Sequence, residues 1–149
     1  MSADEKITLK LIGKNEEDLK VISAYCQDSL VAIKDMVFLK KNKNFIMMVN
    51  RFMWEDAEKG AFRQNKRIRS AIKFQEVIEV KSQNINQKNE KRILECLAIK
   101  CNKNLDKNYV IKIFFSGGGI ITIVSEVIDI LLDDLGKPWN VKHFPSHKI

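Results

Sequence analysis

The sequence predicts an α+β fold: a strongly bent antiparallel sheet or split β-barrel, with one helix in the N-terminal region and a C-terminal capping helix. Three observations carry this expectation. Apolar stretches of strand character run through most of the chain. The polar connections between them are of hairpin length, which suits antiparallel pairing because parallel strands need helical crossovers. Helical periodicity is confined to two segments, 16–28 and 125–135. So many strands with so few helices tend to curl, which removes exposed edges. The 149 residues suit one domain, 1–149, of a size that buries its own core without a disulfide or metal staple.

Residues 6–12 alternate, with Ile7, Leu9 and Leu11 on one face and Lys6, Thr8 and Lys10 on the other, the pattern of a half-buried strand. Gly13 ends it. Asn15 is placed to cap a helix whose first turn carries Glu16, Glu17 and Asp18, where acids favour the positive end of the helix dipole. Leu19, Ile22, Cys26 and Leu30 recur at steps of three and four and give that helix its apolar stripe. Segments 31–39 and 45–54 read as strands joined by the polar loop 40–44. Segment 55–66 reads as a loop. Ile68, Ile72, Phe74, Val77, Ile78 and Val80 suggest one bent strand or two short ones, followed by polar residues 82–91.

Segment 93–101 is apolar on both faces, which fits a central strand, and 102–108 is a turn. Segments 109–115 and 120–124 are strands joined through Gly117, Gly118 and Gly119, a tight hairpin because glycine accepts positive φ. Val127, Ile128, Leu131, Leu132 and Leu135 give a final helix its apolar face, with Ser125 as cap, Gly136 at the stop and Pro138 beyond. Asp133 and Asp134 fall in its last turn, where acids oppose the dipole. The remainder, 139–149, reads as an irregular tail that Trp139 and Phe144 could pin.

The net charge of +7 is uneven. Segments 40–73 and 81–112 carry +7 and +5, while 1–39, 74–80 and 113–149 carry −2, −2 and −1. A basic field of that kind attracts nucleic acid or an anionic surface. Lys40, Lys41, Lys43, Arg63, Lys66, Arg67 and Arg69 are the candidates for nucleic-acid contact. Against this, Lys outnumbers Arg 21 to 5 beside 19 Ile and 12 Asn, a profile that A/T-rich codons produce without a ligand.

No catalytic constellation is visible, so the expectation is a protein that is not an enzyme. No cofactor and no metal are expected. Cys26, Cys96 and Cys101 read as buried thiols, the last two on opposite faces of one strand. His143 and His147 have a metal-pair spacing, but Pro145 between them disfavours a helix. The glycine run lacks the phosphate-binding patterns, leaving a structural hairpin or a backbone nest for an anion. Apolar runs fall far short of a membrane span. Three cysteines with no paired spacing, together with charged first residues, lead to the expectation of a cytoplasmic protein.

The densest constellation is Asn50, Arg51, Phe52, Met53, Trp54 and Glu55, combining a guanidinium with aromatics, a composition common at interfaces. The alternative is that Phe52 and Trp54 are core while Arg51 and Glu55 pair on the surface. Asn50-Arg51-Phe52, Trp54-Glu55, then Phe114-Phe115-Ser116-Gly117-Gly118-Gly119-Ile120, then Glu126, Asp134-Leu135-Gly136 and Trp139, and Leu19 to Ala24 with Gln27-Asp28, together resemble a bacterial family of uncharacterised proteins, domain of unknown function 2948. The resemblance spans nearly the whole chain and implies no established activity. The ending, antiparallel strands and then an amphipathic helix, resembles the pleckstrin-homology-like superfold. The reading that follows is a binding or scaffold module for an unknown protein partner or a second copy of itself. Its surface is built on Asn50, Arg51, Trp54, Glu55 and Gly117, Gly118, Gly119, with nucleic acid as the alternative partner.

Overall fold

The computed structural model describes residues 8–57, 65–104 and 106–142, with Asp56 and Ala57 described in backbone only. His143, Phe144 and His147 lie outside these residues, as does Arg63.

The chain forms β1 (Lys10–Gly13), α1 (Glu16–Cys26), β2 (Leu30–Ala32), β3 (Met36–Leu39), β4 (Asn44–Phe52), the single turn α2 (Trp54–Ala57), β5 (Lys66–Phe74), β6 (Val77–Gln83), β7 (Ile93–Lys103), β8 (Tyr109–Phe115), β9 (Ile120–Ser125) and β10 (Ile130–Asn140). All strand pairs are antiparallel. They join in one ten-stranded sheet in the order β1-β10-β5-β4-β2-β7-β8-β9-β6, with β3 also on β4. The sheet is open: β1 and β6 are its two ends, and they do not pair with each other. β7 lies between β2 and β8, the central position that its two apolar faces predict.

α1 starts where the sequence places it. Asn15 Oδ1 accepts from the Asp18 backbone N–H at 2.8 Å, and Leu19, Ile22 and Cys26 are its buried stripe. Leu30 belongs to β2 instead. The stretch read as one strand over 31–39 is broken by a 3-10 turn at Ile33–Asp35. That break has a consequence for the sheet. β2 pairs with both β4 and β7, whereas β3 keeps only β4. One apolar cluster joins α1 (Leu19, Ile22), β4 (Phe45, Met47, Val49), β8 (Ile111, Ile113) and β9 (Ile121, Ile123), so the two halves of the sheet curve over a shared core.

The C-terminal capping helix is absent. Residues Ile130–Asn140 are β10, inserted between β1 and β5 with Leu132 facing Leu11 on one side and Ile72 on the other. The segment holds two patterns at once. Val127, Ile128, Leu131, Leu132 and Leu135 fit a helix, while Ile128, Ile130, Leu132 and Asp134 alternate and are all buried. The alternation wins because two neighbouring strands offer a complete hydrogen-bonding slot, and because Asp133 and Asp134 would have opposed the helix dipole. Gly136, at φ 72°, is a bulge residue between Leu135 and Trp139, where the register shifts. Without that helix the ending that resembles a pleckstrin-homology-like fold is gone, and the sheet does not close into a barrel. Trp139 is part of β10 opposite Arg67. Among the described residues no helix is long and apolar enough to cross a membrane.

A second bulge corrects the cysteine geometry. The register between β7 and β8 shifts between Cys96 and Ala98. Cys96 then faces Phe115 and Cys101 faces Ile111, so both thiols lie on the inner side despite their odd separation. Burial pushes the Cys96 thiol up to about 12, helped by the charges of Asp28 and Glu95. Burial and then Glu16 push Cys101 up to about 11. Cys26, fully enclosed, is raised chiefly by burial and by Cys96. The thiolate fraction falls tenfold per unit, so at neutral pH a disulfide reagent should modify native thiols at least ~100-fold more slowly than a free cysteine, Cys101 first. Stoichiometric labelling within seconds before denaturant is added would contradict this.

Candidate functional site

Two places in the molecule concentrate the features that the sequence singles out. The first is the end of β4. Alternation along β4 turns Phe45, Met47, Val49 and Arg51 inward, so Arg51 enters the core with no exposed surface. A buried guanidinium must be paired and hydrogen-bonded. Its Nε donates to Asp134 Oδ1 at 3.1 Å and Nη2 to Asp134 Oδ2 at 2.8 Å. Nη1 and Nη2 donate to the two Glu55 oxygens at 2.9 and 2.7 Å. Two bidentate forks thus hold one arginine, the strongest geometry for this pair type. Asp134 also accepts from Ser70 Oγ at 2.6 Å and from the Leu9 backbone N–H at 3.1 Å. The Tyr25 ring lies 5.7 Å from the guanidinium carbon. Burial lowers the Arg51 pKa, but the bonds and charges of Glu55 and Asp134 outweigh it and leave it above the ordinary value.

Arg51 and Glu55 do pair, as the sequence suggests, but inside the protein and with Asp134 as a third member. The chain turns into α2 after Phe52, and this return brings Glu55 back over Arg51. Phe52 is fully buried beneath the Trp54 ring, centroids 4.6 Å apart and edge-on. Trp54 Nε1 donates to the Gln27 carbonyl at 2.8 Å. The Arg67 guanidinium carbon lies 5.6 Å from the Phe52 ring centre, and its Nη1 donates to the carbonyls of Asp28 and Asn50 at 3.0 Å each. Burial draws the Arg67 pKa down, with Asp28 and Glu95 opposing. Arg69 donates to Asn50 Oδ1 and Asp35 Oδ2. Lys43 reaches Glu126 at 3.0 Å. Of the residues singled out for nucleic-acid contact in 40–73, Lys43, Arg67 and Arg69 therefore have intramolecular partners. Lys40 and Lys41 stand exposed in a 3-10 turn, and Lys66 is half-buried at the start of β5.

The second place is a seam in the sheet. β3 and β6 each have one unpaired edge, and a cleft of about 450 Å³ lies between them. Phe45 and Ile121 belong to the buried core and line it together with Met36, Phe38, Val80 and Ile85. Lys34, Lys81 and Glu90 are its charged, exposed lining residues. The seam is tied at both ends. The Val77 N–H donates to the Lys43 carbonyl at 2.8 Å, and the Ile33 and Lys34 N–H groups donate to the Arg92 and Glu90 carbonyls at 3.0 and 2.9 Å. The 3-10 turn at Ile33–Asp35 places those donors, so the break between β2 and β3 is what opens the seam.

The glycine turn belongs to this second place. Gly117 and Gly118 take φ of 81° and 86°, which side chains resist. The Gly118 carbonyl accepts from Asn84 Nδ2 at 3.1 Å, and a Cβ on Gly119 would meet Ile85 Cγ1 at 3.0 Å. The turn therefore packs the 84–92 connection against the cleft. Gly117, Gly118 and Gly119 adjoin the cleft, while Asn50, Arg51, Trp54 and Glu55 gather at the β4 end beside β2, β5 and β10. The sequence groups these two sets on one surface; in the sheet, β2 and β7 lie between the β4 end and the glycine turn that follows β8.

A further hollow of about 610 Å³ separates α1 from the end of β7, where Ser23 Oγ accepts from the Ile99 backbone N–H at 2.9 Å. Its lining mixes charged and polar groups such as Glu16, Lys20 and Asn102 with Leu19 and Ile99.

Neither a curated protein nor a solved structure matches the chain. The clamp of Arg51, Glu55 and Asp134, the Trp54 cap and the Gly117–Gly118 turn all fall inside residues 9–147, which match the family model described as protein of unknown function DUF2948, and the chain belongs to that family.

Proposed function

We propose that this protein is a non-enzymatic binding module whose ligand, a small molecule with a largely apolar body, occupies the cleft between β3 and β6. The observation that carries the reading is the seam itself. Its volume of about 450 Å³ falls within the range of small-molecule pockets, which are mostly apolar with a few polar groups for orientation. Two tied ends hold the seam open, so the site is formed in advance of binding. Ionisable groups stand at the exposed lining and do not converge on the floor of Phe45 and Ile121.

Anilinonaphthalene sulfonate, an apolar fluorophore with one anionic group, tests this. It should bind saturably at one site, with enhanced emission. Val80 is a half-buried residue of the cleft wall, so Val80→Trp should fill the space and weaken the probe at least tenfold, while the urea midpoint stays close to the parent's. Equal affinity for parent and Val80→Trp would remove the cleft as the site.

A further inference from the structure

The outward faces of β6, β7, β8 and β9 carry a different feature, which shares Lys81 with the rim of the cleft. Register aligns Lys100 with Lys112, Lys112 with Thr122, and Thr122 with Lys81. Three lysines thus stand in one row across four neighbouring strands, and Lys100, Lys112 and Lys81 are all exposed. The row on one side is Ala98, Phe114, Ile120 and Gln83, and on the other Asn102, Val110, Val124 and Glu79. Phe114, Ile120, Val110 and Val124 are half-buried, so they form a shallow apolar floor between the lysine stems. Lys100 Nζ lies 5.8 Å from the Phe114 ring centre.

Like charges directly opposite on neighbouring strands destabilise a sheet. Neighbouring strands are ~4.8 Å apart, so Lys100 and Lys112 repel at short range. Among the described residues neither has an acidic partner within ion-pair distance, while Lys81 meets Glu79 at 3.3 Å. Codon composition accounts for the number of lysines. It does not align them in register on one face.

We propose that this face binds single-stranded nucleic acid, with phosphates on the row of Lys100, Lys112 and Lys81 and bases against Phe114 and Ile120. A polyanion turns the repulsion of the row into attraction, and an aromatic beside cations is the composition of a base-stacking platform. A membrane surface fits less well. The apolar side chains are recessed among the lysines and cannot reach the acyl region, whereas an unpaired base can descend onto them. A duplex hides its base faces and gains only the charge contacts.

Fluorescence anisotropy of a labelled single-stranded oligonucleotide of mixed sequence, as RNA and as DNA, tests the proposal. Three phosphate contacts predict a slope near −2 in log affinity against log salt, so affinity should fall ~20-fold from 50 to 200 mM salt. Lys100→Glu with Lys112→Glu should weaken binding at least tenfold and melt close to the parent, because one like-charge cross-strand pair replaces another. Lys137→Glu with Lys142→Glu makes the same change in net charge on β10 and beyond, and should leave affinity nearly unchanged. Phe114→Leu keeps the floor apolar and should lose roughly fivefold or more through stacking. No anisotropy change at 50 mM salt would overturn the proposal. So would equal loss in the two charge variants, duplex binding as tight as the single strand, or capture by phosphatidylserine vesicles without oligonucleotide binding.

Discussion

Replacing Arg51 with methionine will destabilise the fold by about 3–5 kcal/mol, read as a lower urea midpoint with an unchanged slope. Methionine fills much of the volume, so the loss is not chiefly a cavity. It comes from Asp134 and Glu55. Asp134 is 6% exposed and Glu55 a quarter exposed at the side chain. Without the guanidinium two carboxylates face each other at the end of β4, and among the described residues Asp134 keeps Ser70 and Leu9 as donors. Against a total stability of ~5–15 kcal/mol, that loss is a large fraction. Arg51→Lys will recover only part of it, because an ammonium cannot fork to two carboxylates at once. Arg51→Met combined with Asp134→Leu will be less damaging than the two single effects summed, since the second change removes the stranded charge. A cost under ~1 kcal/mol for Arg51→Met would mean that the clamp contributes little, as exposed ion pairs do.

The clamp shows where sequence reading stops. Alternation turns Arg51 away from Asn50, and Glu55 stands four residues on, so half of the clamp is local. Its other half, Asp134, is 83 residues away. Its only trace in the sequence is a pair of acids badly placed for a helix. Such a misfit is itself a reason to look for a basic partner elsewhere in the chain. It also argues against the helix itself, because the same carboxylate that opposes a helix dipole suits a strand whose neighbour carries the arginine. β8, β9 and α1 were legible because alternation, glycine and an N-cap are local signals. β10 was not, because a segment with both periodicities is decided by the slot that β1 and β5 leave open. The cleft has no local signature at all: it exists because β3 and β6 each lack a second partner, a property of strand order. The lysine row is intermediate. Lys100 and Lys112 flank one turn symmetrically, so hairpin register alone could have paired them, while Lys81 required the position of β6.

The second large effect expected is at Phe52. Phe52→Ala will cost about 3–5 kcal/mol, the range for truncating a buried aromatic. The ring is the floor for two neighbours. Trp54 lies edge-on against it and Arg67 sits over it, and each of these reaches a backbone carbonyl next to the β2 junction: Gln27 for Trp54, Asp28 for Arg67. Removing the ring leaves a void that a leucine would largely fill, so Phe52→Leu should cost under ~1.5 kcal/mol. A packing role and a pairing role then separate cleanly. Packing predicts that Phe52→Leu approaches the parent while Phe52→Ala does not. It also predicts a signature that Arg51→Met lacks: the Trp54 indole loses its wall, so Phe52→Ala should red-shift tryptophan emission and speed quenching by acrylamide in the folded state. Trp139, 40% exposed in β10, supplies a background common to both variants. If Phe52→Ala leaves emission unchanged and lowers stability no more than Phe52→Leu, the ring is not what holds the indole. The hydrogen bond to Gln27 would then suffice.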